Sequence, residues 1–69
     1  MECEFTTKIR ELRAVLDISQ EELANMVGVR RETIARLEKG MYNPSLKLAV
    51  DIARVFGKNV EEVFFFGDM

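Results

Sequence analysis

The chain has 69 residues, enough for one domain, and a chain this short buries only about 60% of its unfolded surface, so its core is small. It has no His and one Cys, Cys3, which excludes an internal disulfide and the ligand set of a metal centre; without a Gly-rich phosphate loop, an enzyme is not expected either, nor any cofactor. The net charge of −2 argues mildly against nucleic acid, but DNA feels the local distribution of charge, so the placement of the 10 Lys and Arg residues decides.

One Pro and four Gly leave no room for a long linker or a low-complexity tract. No apolar run approaches the roughly 18 residues that would span a bilayer. The acidic start Met1-Glu2-Cys3-Glu4 is unlike the basic start of a signal peptide, and a lone Cys suits a reducing compartment. These features predict a cytoplasmic protein without a membrane partner.

Five helical segments are predicted, with no strand. The first spans about Thr7 to Leu16, with Ile9, Leu12 and Leu16 at helical spacing and Phe5 packed ahead of it. Ser19-Gln20-Glu21-Glu22 is a capping box that opens the second helix, with Ile18 and Leu23 at the positions of a hydrophobic staple. That helix runs to about Val27, and Gly28 suits the left-handed position that follows.

The third helix spans about Arg31 to Lys39 and stops at Gly40. Met41-Tyr42-Asn43-Pro44 is a loop, since Pro44 disfavours helical geometry at Asn43. Ser45 caps a fourth helix carrying Leu46, Ala49, Ile52, Ala53 and Phe56 on one face, closed by Gly57. Asn59-Val60-Glu61-Glu62 resembles a second capping box and opens a short fifth helix with Val60, Val63 and Phe64.

The second and third helices together, about residues 20–39, form a constellation. Two helices crossing steeply through a turn of 3–4 residues need a small side chain at their closest approach, which Ala24 supplies. They need a residue tolerant of positive φ, which is Gly28. They need apolar groups at each contact point, and Leu23, Val27, Val29, Ile34 and Leu37 supply these. The start of the third helix breaks the pattern. Where Ser, Thr, Asp or Asn would cap it, the chain has Arg30-Arg31, whose charge also opposes the helix dipole.

Over about Ile9 to Phe64 the chain resembles the phage-repressor and Cro type of helix-turn-helix regulators, the XRE family. The stretches that carry the resemblance are Ile9-Arg10-Glu11-Leu12-Arg13, Ser19-Gln20-Glu21-Glu22-Leu23-Ala24, Val27-Gly28-Val29, Thr33-Ile34, Leu37-Glu38-Lys39-Gly40 and Asn43-Pro44-Ser45-Leu46, followed by Ile52-Ala53. The resemblance implies a compact all-α domain of five helices, lambda-repressor-like, occupying residues 1–69. It also implies a sequence-specific regulator of transcription, a repressor among its relatives, whose third helix lies in the major groove of double-stranded DNA.

Carried onto this chain, the base-reading residues are Arg31, Glu32, Thr33 and Arg36. Arg31 and Arg36 can donate a bidentate pair to guanine, Thr33 can donate, accept or touch a thymine methyl, and Glu32 can accept from cytosine. Glu32 has a second reading, as the partner of Arg36 one turn later. Gln20, Arg30, Lys39, Tyr42 and Asn43 are expected on the DNA backbone, where contacts set register; Tyr42 alternatively covers the core. The resemblance also implies a structural ion pair between Arg13 and Glu38.

Phe64-Phe65-Phe66 cannot all face one core if helical, because consecutive residues diverge by about 100°. Val63, Phe64, Phe65 and Phe66 are therefore expected as homodimer contacts, with helix five and residues 60–69 placing two recognition helices about 34 Å apart, one turn of DNA. The rival reading is a protein-interaction module of the same fold, an antitoxin-like subunit or bridging factor whose main partner is a protein and whose DNA binding is secondary. The acidic composition keeps that reading open.

Overall fold

The computed structural model describes residues 5–65, so the expectations for Cys3 and Phe66 fall outside the described residues. In chain order the elements are β1 (Thr6–Thr7), α1 (Ile9–Leu16), α2 (Gln20–Val27), α3 (Arg31–Glu38), α4 (Leu46–Val55), α5 (Val60–Val63) and β2 (Phe64–Phe65). The five expected helices are present and the class is all-α, with one small addition: β1 and β2 pair antiparallel, Thr6 opposite Phe65 and Thr7 opposite Phe64. None of the described helices is long and apolar enough to cross a membrane.

Local chemistry sets most of the boundaries. Ser19 Oγ accepts from the Glu22 N–H at 2.9 Å and Glu22 Oε1 accepts from the Ser19 N–H at 2.8 Å, so the capping box of α2 is closed. Glu62 Oε1 accepts from the Asn59 N–H at 2.8 Å in the same way at α5. Ser45 Oγ caps α4 through the Leu48 N–H at 3.1 Å. At the far end of α2, Gly28 sits at φ 76° and the Val29 N–H returns to the Ala24 carbonyl at 3.0 Å. This left-handed closure turns the chain sharply enough for α3 to pack across α2.

The core is built where the helices cross. Ile9, Leu23, Ile34, Leu37, Ile52 and Val63 are fully buried, and Ala24 and Ala53 fill the narrow approaches. Leu12, Ile18, Val27, Val29, Val55, Phe56 and Val60 pack around them, half-buried. Phe5 closes one side, its ring edge-on to Phe64 with centroids 6.1 Å apart.

Three expectations are corrected. Leu16 and Leu46 lie at core spacing, yet they are 46% and 78% exposed. Each stands at a helix end beyond the reach of the neighbouring elements, and α4 buries Leu48 within its first turn instead. The first helix begins at Ile9, because Thr7 is paired in the strand. The fifth helix ends at Val63, so the phenylalanines do not diverge by a helical angle. Phe64 and Phe65 are extended and point to opposite faces, which buries Phe64 at 2% exposure and leaves Phe65 at 39%.

Candidate nucleic-acid interface

The third helix starts without a side-chain cap. Arg30 holds the N-cap position with extended backbone, φ −83° and ψ 154°, and its side chain makes no capping bond. The Thr33 and Ile34 N–H groups close on the Arg30 carbonyl at 3.0 and 3.4 Å. The N–H groups of Arg31 and Glu32 belong to the first turn, which has no intrahelical acceptors. An uncapped first turn flanked by two guanidinium groups therefore faces solvent.

Ile34 and Leu37 anchor the opposite side of α3 in the core. With two positions fixed, the helical period turns the remainder outward. Arg30, Glu32, Thr33, Arg36 and Tyr42 converge on a shallow cleft of about 320 Å³. Four of these belong to the start and exposed face of α3, and Tyr42 reaches them from the loop. Tyr42 is itself exposed, so it borders this surface and does not cover the core. Glu32 makes no ion pair with Arg36 among the described residues, which leaves its carboxylate to the cleft.

Arg31 lies apart from that group. Its Nη1 donates to Gln20 Oε1 at 3.4 Å. Gln20 Nε2 in turn donates to Glu38 Oε1 at 3.0 Å. Gln20 is thus engaged at both ends of its amide inside the chain, with one of its two Nε2 N–H groups not used by these bonds. Glu38 is held by Arg13, whose Nε donates to Oε2 at 2.7 Å and Nη2 to Oε1 at 3.3 Å, while Arg13 Nη1 donates to the Ile18 carbonyl at 3.1 Å. The Arg13 and Glu38 side chains are 16% and 10% exposed, so the pair is sheltered. One polar chain therefore joins α1, the α1–α2 turn, both ends of α3 and the start of α2.

Lys39 lines a second cleft together with Arg10, Arg13, Gln20, Ala35 and Glu38. Asn43 is exposed in the loop and lines neither surface. Of the four residues expected at a dimer contact, Val63 and Phe64 are buried in the chain's own core, and Phe65 is exposed, with the Lys8 Nζ over its ring 5.7 Å from the centroid. Arg10 is the residue that the sequence reading passed over, because nothing in one helix shows which neighbours it meets.

The distribution of charge answers the objection raised by the acidic composition. Glu22 and Glu62 lie at the starts of α2 and α5 in capping boxes, Glu38 is sheltered on Arg13, and Asp51 pairs with Lys47 at 2.7 Å on α4, so none of these acids lies on the exposed face of α3. The exposed part of α3 keeps Arg30, Arg31 and Arg36 against the single acid Glu32.

A family model described as helix-turn-helix matches residues 9–63. The chain is 61% identical over 62 residues to an uncharacterised HTH-type transcriptional regulator of Archaeoglobus fulgidus, covering 90% of this chain and 87% of that one. It is 39% identical over 59 residues to the cryptic phage CTXphi transcriptional repressor RstR of Vibrio cholerae, covering 86% of this chain and 53% of the repressor. Its backbone is similar to that of the restriction-modification controller protein C.AhdI of Aeromonas hydrophila, with a TM-score of 0.71, 33% identity and 80% of each chain covered. With the fold, the α2–α3 crossing and these similarities together, the chain belongs to the helix-turn-helix family of transcriptional regulators, of the phage-repressor and Cro (XRE) type.

Proposed function

We propose that this protein is a sequence-specific regulator of transcription that binds double-stranded DNA with α3 in the major groove. The observation that carries the reading is the outward surface of α3. Arg30, Glu32, Thr33, Arg36 and Tyr42 meet at one solvent-facing cleft beside an uncapped helix start. Arg36 and Arg31 supply guanine donors, Thr33 a small adaptable group and Glu32 a cytosine acceptor, while Arg30 and Tyr42 border the phosphates. Asn43 and Lys39 extend the backbone contacts. The place of action is the cytoplasm.

The protein acts as a homodimer, so that two copies of α3 meet successive turns of the duplex. Support for this comes from Phe65, whose ring stays 39% exposed on a strand that ends the described chain. Val63 and Phe64 support the dimer only indirectly, by fixing β2.

Selection on random duplexes tests the reading. One pseudo-palindromic site should emerge, with affinity falling steeply as salt rises. Arg31→Ala and Arg36→Ala should each relax preference at one base pair. Equal binding to all duplexes would reject the assignment.

A further inference from the structure

The cleft where α1, α2 and α3 meet holds a cation that the surface described above does not use. Its volume is about 330 Å³, and its lining includes Arg10, Arg13, Gln20, Ala35 and Glu38. Arg13 spends three of its donors on Glu38 and the Ile18 carbonyl, and Gln20 spends its amide on Glu38 and Arg31. Arg10 is different. It is exposed, and its side chain makes no hydrogen bond or ion pair among the described residues.

We propose that Arg10 is a phosphate anchor of this cleft, seating one phosphodiester of duplex DNA beside the recognition helix. The inference rests on the reading of α3 as the helix that enters the major groove. Residues on α3 advance by about 100° each, so Ala35 and Glu38 lie on one flank of its exposed arc, and Thr33 and Arg36 lie on the other. A major groove about 12 Å wide, filled by a helix about 10–12 Å across, brings a phosphate strand to each flank. The strand on the Thr33 and Arg36 side meets Arg30 and Tyr42. The strand on the other side meets this cleft.

The chemistry of the cleft suits an anion. Its one carboxylate, Glu38, is turned onto Arg13 and Gln20, while Arg10, Arg13 and Lys39 set three cations against it. Ala35 adds only a methyl group, so no side chain from the middle of α3 closes the opening. Arg10 sets uncommitted guanidinium donors beside Gln20, whose amide already bonds Glu38 and Arg31, and a guanidinium can meet two phosphate oxygens at once. A contact of this kind fixes register and reads no base.

The test is the salt dependence of binding to the selected duplex by the full chain. Arg10→Ala and Arg10→Gln should each make the slope of log K against log salt shallower by about 0.9 per chain bound. Preference among single-base variants of the site should be unchanged. Arg54→Ala removes an equal charge from the groove between α4 and α5 and should leave the slope as it was. If the wild type discriminates but both Arg10 variants keep its slope, the Arg10 assignment is overturned and the reading of α3 stands. If Arg54→Ala flattens the slope as much as Arg10→Ala, the effect is one of net charge and the anchor is likewise rejected. If the wild type prefers no duplex, the reading of α3 fails and this inference with it.

Discussion

Arg31 Nη1 donates to Gln20 Oε1 at 3.4 Å, joining the first residue of α3 to the first residue of α2 across the turn. The bond is long, but Gln20 is not free to drift. Its amide nitrogen is fixed on Glu38 at 3.0 Å, and Glu38 is fixed on Arg13 at 2.7 Å. The Arg31 guanidinium, proposed above to read a base, therefore rests on residues of two other helices. Gln20→Ala removes two hydrogen bonds, one part-buried to Glu38 and one exposed to Arg31, and should cost about 1–3 kcal/mol of stability. It should lower discrimination at the base pair that Arg31 reads while sparing the one Arg36 reads. Competition among single-base variants of the selected site measures this, and equal discrimination by variant and wild type would remove Gln20 from the reading machinery.

Glu38→Ala should act chiefly on stability. It leaves the Arg13 guanidinium half of its partners and leaves Gln20 Nε2 without an acceptor. Breaking one side of a buried pair costs about 3–5 kcal/mol, and an exposed pair is worth about 0–1. With side chains 16% and 10% exposed, a loss of about 2–4 kcal/mol is expected on urea unfolding. An unchanged denaturation midpoint would show that the pair carries no stability.

Arg30 separates stability from binding in the opposite sense. Its backbone already has N-cap geometry, so Arg30→Ser or Arg30→Asp needs no rearrangement to cap α3. Either change should stabilise the free protein by about 0.5–2 kcal/mol and weaken its hold on DNA. A calorimetric midpoint that rises while affinity falls is the expected pair of results. If neither moves, the arginines at this helix start have no bearing on function.

The turn of the motif depends on a backbone conformation and not on space. A Cβ on Gly28 would meet nothing within 4 Å, yet φ is +76°. Gly28→Ala should therefore cost only the left-handed strain, about 1–2 kcal/mol. A variant as stable as wild type would mean that the turn relaxes to another geometry, which the crystal structure of the variant would display.

The two described rings of the tail should behave differently. Phe64→Ala removes a buried ring packed on Phe5 and should cost about 3–5 kcal/mol. Phe65→Ser loses mainly the approach of Lys8, worth about 0.5–1 kcal/mol at an exposed site. On the proposed homodimer, it should shift the protein toward monomer in sedimentation equilibrium. A Phe65→Ser protein that sediments as the wild type does would exclude this ring from the dimer contact.

Much of the fold was legible because its signals are local. A capping box spans four residues, and a left-handed glycine acts within one turn, so Ser19, Glu22, Gly28 and Gly40 fixed helix boundaries in any context. The apolar period chose the buried sides of α2 and α3, and with them which side of α3 carries Arg30, Thr33 and Arg36 outward. What the period could not say is where a helix runs past its neighbours. Leu16 and Leu46 keep the spacing of core residues and yet are exposed, for want of anything packed over those helix ends.

The remaining features needed the two ends of the chain to meet. Phe64 and Phe65 alternate between core and solvent because Thr6 and Thr7 pair with them, and such a pairing leaves no mark in either segment read alone. Gln20 turns to Glu38 and Arg31, 18 and 11 residues away in the chain. Arg10 joins the cleft beside α3 only because the fold brings α1 next to the start of α2 and the second half of α3. Sequence by itself determined the helices, the steep α2–α3 turn and the outward arginines, since each follows from short-range sterics and periodicity. Tertiary structure alone decided which polar side chains are already committed and which remain to bind, since that depends on partners distant in the chain.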